Sequence, residues 1–311
     1  MRRLVILFLF IMVLDLKAQQ DPAMSQYMFN QLVINPACAG NIAERIATSF
    51  LYRRQWVALT NAPETGTFSI HTPFNQKRNG IGFQATYVNT DLTNDISVSG
   101  AYSFKIIFPR SYFAMGISGG FRQTSLNLQS KKIKDEDDIV LSKQNQISPD
   151  LNVGLYFQHK NYYLGLSCRN LFQSRFHIQN FKYPAQSFNF YATGGYKFTL
   201  SATVKIISSF LLKYVPQFTP QADISNHLIF NEMFWGGFSY RTNTIIAFQT
   251  GVKLDQVFKK LGQETRLGYA FDVFGRFPGV AHELMLLIDF ELHKSPSTIL
   301  KQKKQLSPFF L

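Results

Sequence analysis

Cysteine is nearly absent. The two in this chain, Cys38 and Cys168, could form one bridge at most, and only in an oxidising compartment. Charge is also scarce, with Asp, Glu, Lys and Arg at 16% against the ~25% of ordinary soluble domains. A water-facing surface normally carries more charge, so this shortage favours contact with lipid. After Leu14 no stretch approaches the ~20 apolar residues of a membrane-spanning helix, which leaves strands as the only way to cross a bilayer. The 6 His form no H-x-x-H or H-E-x-x-H pair, so no zinc site is supported. Acidic residues number 19 against 32 basic ones, a formal charge of +13. That excess does not require nucleic acid, which an exported chain would rarely meet, and no cofactor is implied.

Export is indicated by the first residues. Met1-Arg2-Arg3 is a basic opening, the run from Leu4 to Leu14 is apolar, and Leu16-Lys17-Ala18 ends in a small residue before Gln19. This is the pattern of a secretory signal peptide over residues 1–18, which is left out of fold reasoning.

What the chain has in abundance is apolar and polar residues in alternation, from about Ile46 to Leu292, together with 31 Phe and 14 Tyr. Successive side chains of a strand point to opposite faces, so a sustained period of two describes a sheet with one apolar and one polar surface. Ile81, Phe83, Ala85 and Tyr87 alternate with Gly82, Gln84, Thr86 and Val88. Phe113, Met115, Ile117 and Phe121 alternate with Ala114, Gly116, Ser118, Gly120 and Arg122, and Leu284, Leu286, Ile288 and Phe290 with Met285, Leu287, Asp289 and Glu291. Charges keep to the second face, which a barrel turns into its lumen.

The predicted fold is all-β, a transmembrane antiparallel β-barrel of about 14 strands. Strands are predicted near 45–54, 64–74, 80–90, 94–106, 111–123, 150–160, 161–172, 187–199, 202–215, 220–231, 232–242, 244–254, 264–275 and 281–292. Residues 19–44 precede the barrel as a periplasmic or plug segment, and residues 293–311 form a basic, proline-punctuated periplasmic tail. With both termini in the periplasm, connections should alternate between short and long. Gln55–Pro63, Thr124–Pro149 and Gln173–Gln186 are long, whereas Asn75-Gln76-Lys77, Lys160-Asn161 and Asn231-Glu232 are short. Gln256–Gln263 breaks the rule.

The stretch Ser25-Gln26-Tyr27-Met28-Phe29-Asn30-Gln31-Leu32-Val33-Ile34-Asn35-Pro36-Ala37-Cys38-Ala39-Gly40-Asn41 resembles the opening of the PorP/SprF family of Bacteroidetes outer-membrane proteins, which typically reads SQYMFNPLxxNPAYAGS. Arg53-Arg54-Gln55-Trp56-Val57, Phe234-Trp235-Gly236-Gly237-Phe238, Leu267-Gly268-Tyr269-Ala270-Phe271-Asp272 and His282-Glu283-Leu284-Met285-Leu286 are similar to later segments of that family. The chain departs from it at Cys38, where an aromatic is usual, and at Gln31, where Pro is. The resemblance implies an outer-membrane accessory of type IX secretion that supports export or retention of a large surface adhesin, with a tie to gliding motility. The partners it implies are that adhesin and the periplasmic and outer-membrane components of the machinery. Outer-membrane lipid and lipopolysaccharide are generic partners of charged rims. The alternative is a diffusion channel for small or apolar solutes.

Candidate contact residues are Gln26, Tyr27, Phe29, Asn30, Asn35 and Pro36, because an aromatic and amide-rich segment outside the lipid can pack into the barrel mouth or onto another protein. Lys105, Arg122, Arg169, Lys197, Lys205, Lys213, Arg241 and Lys253 fall on the inner face, countered by Asp223, Asp272, Asp289 and Glu291. These charges could favour anions or could form a network that holds the barrel closed. Gly116-Ile117-Ser118-Gly119-Gly120 satisfies G-x-S-x-G, but a hydrolase elbow needs a strand-to-helix turn and this motif lies within a period-two strand, so no enzyme is expected. Lys131 to Asp138 is a basic run followed by an acidic one, a solvated loop or a docking site. It lacks the Gly and spaced oxygens of a calcium loop. A disulfide is not expected, because Cys38 precedes the barrel while Cys168 shares the apolar face with Leu164 and Leu166.

Overall fold

The structure, a computed structural model, describes residues 24–291 apart from 43–44, 60, 92, 127–143, 173, 179–180, 217, 243, 255–262 and 276–278. The expected signal peptide, the Lys131–Asp138 run, the basic tail and nearly all of the Gln256–Gln263 connection lie outside the described residues.

Fourteen antiparallel strands close into one barrel. In chain order they begin with β1 (Arg45–Gln55), β2 (Glu64–Phe74), β3 (Asn79–Asn89), β4 (Thr93–Ile107), β5 (Ser111–Leu126), β6 (Gln144–His159) and β7 (Tyr162–Arg169). A separate hairpin of β8 (Ser174–Ile178) and β9 (Phe181–Gln186) follows. The wall resumes with β10 (Asn189–Thr199), β11 (Val204–Tyr214), β12 (Gln221–Phe230), β13 (Phe234–Arg241), β14 (Ile245–Lys253), β15 (Gln263–Phe274) and β16 (Val280–Glu291). β1 zips onto β16 from Arg45↔Glu291 to Gln55↔Ala281, so the ring is closed. Closure of this kind pairs the first and last strands where no water is available. Most strands meet or exceed the ~9–11 residues that a tilted strand needs to span hydrocarbon. Among the described residues no helix is long and apolar enough to cross a membrane.

The alternation places Phe50, Tyr102, Ile117, Leu164, Phe238 and Leu284 outside and exposed, while Ser49, Ser103, Ser118, Tyr163, Ser239 and Glu283 point inward and are buried. Leaving an apolar side chain in water forgoes roughly 1.5–3 kcal/mol of burial, so an outer surface of this kind requires a hydrocarbon solvent. The fold is therefore inverted: its polar residues make the interior.

Two differences from the sequence-based strand limits have clear causes. Thr124 and Gln144–Pro149 are not loop: β5 continues to Leu126 and β6 starts at Gln144, with Phe121 paired to Pro149. Proline is tolerated there because, among the described residues, β6 pairs with β7 over Val153–Gln158 and no strand is paired to that side of the upper β6. The connection Gln173–Gln186 also holds the β8–β9 hairpin, paired from Ser174↔Gln186 to Ile178↔Phe181 with a bulge at Ser174/Arg175. Short turns such as Asn231-Glu232 place both residues at positive φ, 52° and 55°, which matches the twist of the strands they join.

Candidate functional site

Residues 24–42 lie inside the barrel. The chain crosses the lumen as three single-turn 3-10 helices, Tyr27–Phe29, Gln31–Val33 and Pro36–Cys38. It starts beside the strand ends farthest from Arg45 and descends to the Arg45 end. Met28, Leu32, Ala37 and Cys38 are almost fully buried. Pro36 presets the backbone angle of the third turn. Asn35 caps that turn, its Oδ1 accepting from Ala37 N at 2.9 Å. Its Nδ2 donates to the carbonyls of Leu155 (2.9 Å) and Leu166 (3.3 Å), in neighbouring wall strands.

The wall is cut to fit this segment. At Gly116 an added Cβ would lie 2.2 Å from Ala37 N and 2.4 Å from Ala37 Cα, so no side chain can stand there while the turn is in place. Gly40 takes a φ of +63° and packs 2.8 Å, measured from a notional Cβ, from Gly80 Cα.

At the far end the segment is held by charge. Both carboxylate oxygens of Glu283 accept backbone N–H groups, Oε2 from Ser25 at 2.7 Å and Oε1 from Gln26 at 2.8 Å. Ser25 Oγ donates to Asp272 Oδ2 at 2.7 Å. Arg53 Nη1 bridges the two acids, 2.5 Å from Asp272 and 3.3 Å from Glu283. All three charged side chains are at most 2% exposed, and a buried charge is tolerable only when it is paired and hydrogen-bonded in this way. Beside them Arg241 pairs with Asp223 at 2.8 Å and donates to Met24 O. Lower down, Arg169 donates to Val33 O at 2.7 Å and Ser167 to Ile34 O at 2.9 Å. At the Arg45 end Ser103 donates to Ala39 O, Lys105 Nζ to Gly40 O, and Gly40 N to His71 Nδ1. Phe29 packs edge-on to His227 and against Trp235, with centroids 5.9 and 5.4 Å apart.

The candidate residues of the N-terminal stretch thus share the lumen. Gln26, Tyr27, Asn30, Asn35 and Pro36 are buried, and Phe29 is partly so. Burial pushes the Tyr27 phenol up to about 12 and raises the Cys38 thiol well above its ordinary value, with nearby Lys105 opposing. The lumen charges do not form one cluster. Lys105, Arg169, Arg241 and Asp272 hold or border the segment, while Arg122 lines a recess above it. Asp289 belongs to a second network at the Arg45 end, with Arg266 at 3.0 Å. There Glu264 draws in Arg45, Lys253 and Arg266. Lys197 also lies at that end, its backbone N–H donating to Asn161 O. Arg53 and Glu283 were missed as site residues, although their parity with Leu51 and Met285 places them inside.

Ser118 is buried mid-strand and accepts from Asn152 Nδ2 at 2.9 Å, a contact within the wall. Cys38 and Cys168 are free thiols. Among the described residues no group of acidic, His and Cys side chains could hold a metal ion.

The family described as "Type IX secretion system membrane protein PorP/SprF" matches residues 16–288. The chain belongs to that family. No curated protein matches. Among solved structures, this PorP/SprF protein is similar to a Pseudomonas aeruginosa FadL homologue (TM-score 0.53, 11% identity, 88% of this chain and 95% of that one). It is also similar to the CymD monoaromatic hydrocarbon channel (0.55, 8%, 87% and 94%) and to the P. putida toluene transporter TodX (0.51, 9%, 84% and 93%). At such identities these likenesses establish the outer-membrane barrel fold alone. Family and fold together make this a membrane component of type IX secretion in the outer membrane.

Proposed function

We propose that this PorP/SprF barrel is a non-enzymatic accessory through which the type IX machinery exports or retains a large surface adhesin, with gliding motility dependent on that adhesin. In this reading the Arg45 end faces the periplasm, where the basic tail meets the machinery, and the far end, beside which Met24 lies, faces outward with the β8–β9 hairpin. The observation that carries the reading is the family match over residues 16–288. The filled lumen supports it, because Tyr27, Met28, Leu32 and Ala37 occupy the space a wide diffusion pore would need. Charged residues at the rims suit contact with lipopolysaccharide phosphates.

The test is a deletion strain. Loss of one large adhesin from the cell surface, restored by the wild-type gene, with small-sugar uptake unchanged, is the expected result. Co-purification from detergent should return periplasmic or outer-membrane secretion components. Normal surface display of every adhesin in the deletion strain would overturn the proposal.

A further inference from the structure

Two recesses border the N-terminal segment within the lumen. The lower one, of about 80 Å³, lies toward the Arg45 end and is lined by Asn41, Ser49, Ser69, His71, Arg266 and Asp289 among others. The upper one, about 90 Å³ on the same measure, starts beside Leu51, Thr65 and Thr67 and reaches across the lumen to Asp95, Arg122 and Lys213. Asn30 lines both. It is held there by a short relay, Ser49 Oγ to Ser69 Oγ at 2.7 Å and Ser69 Oγ to Asn30 Oδ1 at 2.9 Å.

Two polar atoms point to water on this route. Asn30 Nδ2, which belongs to the shared residue, and Thr67 Oγ1, in the upper recess, are buried with no hydrogen-bond partner among the described residues. A buried donor left without a partner costs ~1–3 kcal/mol, and in a polar space of adequate size water supplies the missing bond. Ser49 and Ser69 in the lower recess and Thr65 and Thr67 in the upper one put polar side chains of β1 and β2 on either side of Asn30. Charge on the route is asymmetric. In the lower recess Arg266 is paired with Asp289, while Arg122, Arg169 and Lys213 line the upper recess against one carboxylate, Asp95, and a low-dielectric tube lined by excess positive charge concentrates anions.

We propose that the two recesses are halves of one hydrated path beside the N-terminal segment, narrowed at Asn30, which passes small inorganic anions while that segment stays in place. This activity is independent of the secretion role, since it needs no partner.

The experiment uses the purified full chain in a planar bilayer under a KCl gradient, with folding verified by heat-modifiable gel migration. The expected result is a small steady conductance whose reversal potential shows preference for chloride. Asn30→Ala should raise that conductance severalfold with the sign of the reversal potential unchanged. Thr67→Met, which fills the upper recess, should lower it. The pair Arg122→Gln and Lys213→Gln should move the reversal potential toward zero. Silence of both the wild type and Asn30→Ala, or preference for potassium, overturns the proposal. So does a conductance in full-barrel steps insensitive to Asn30→Ala, which would mean that current flows only when the whole segment leaves.

Discussion

Replacing Glu283 with Ala should free the N-terminal segment while the barrel stays closed. The carboxylate accepts two backbone N–H groups from that segment, at 2.7 and 2.8 Å. A hydrogen bond to a charged group contributes about 1.5–3 kcal/mol, so losing both weakens the hold by about 3–6 kcal/mol, on the order of 10²–10⁴ in the ratio of seated to released segment. Arg53 retains Asp272 at 2.5 Å, so the substitution strands no cation. The ladder contacts of position 283 with Arg53 and Ala270 are made by backbone and survive. Cys38 is the reporter, since it is 1% exposed while the segment is seated. In a Cys168→Ala background, a water-soluble maleimide should modify Cys38 at a rate set by the released fraction. Glu283→Ala should raise that rate by two or more orders of magnitude, and Glu283→Gln, which keeps an acceptor, by less. An unchanged rate in a folded Glu283→Ala barrel would refute the argument that these two bonds hold the segment as a unit.

Gly116→Ala should expel the third turn, because the new methyl would meet the backbone of Ala37 at 2.2 Å. Rapid Cys38 labelling with normal gel migration is the expected outcome. Asn35→Ala removes the cap on Ala37 N and two bonds to wall carbonyls, and should cost about 1–2 kcal/mol, seen as a gain of roughly 5- to 30-fold in Cys38 labelling. The pH dependence has a definite sign. Below the ordinary thiol value of about 8.5 Cys38 is protonated whether the segment is seated or released, and its hold is constant. Above that value only the released form ionises, because burial holds the seated thiol higher, so the hold weakens as pH rises. Tyr27, raised to about 12, adds to this once pH passes the ordinary phenol value. The Cys38 labelling rate should therefore keep climbing past the point where a free thiol levels off, and a plateau at that point would place Cys38 in solvent.

The barrel wall was legible because its code is local. Whether Ser118 faces inward and Ile117 outward follows from parity alone, and the same rule orders Glu283 against Leu284. Strand limits were legible wherever turn residues stood between strands, as at Asn231-Glu232. They failed where Pro149 suggested a loop, because the absence, among the described residues, of a strand paired to that side of upper β6 is a fact of the closed barrel and not of the local sequence. The β8–β9 hairpin escaped for a related reason, being a short pair inside a connection and outside the spanning rhythm. The site was half legible. The stretch from Gln26 to Pro36 stood out by composition and by its resemblance to the family. What holds it did not, since Ser25 meets Glu283 across 258 positions and no single sequence shows which inner-face acid that will be. Arg53 and Glu283 looked like two more lumen charges until closure brought them to the same place.

The order in which the chain comes together follows from where its first described residues end up. The first and last strands are each other's neighbours, and a stretch preceding the first of them sits within the ring they complete. Joining those strands before the stretch is in place would leave it to thread a finished cylinder. Completion around a resident strand of backbone is the simpler route, and it makes the last hairpin, β15 with β16, the one that both seals the ring and supplies Asp272 and Glu283 to grip what it encloses. Assembly of this protein is then a wrapping reaction whose final step tests whether the right occupant is present.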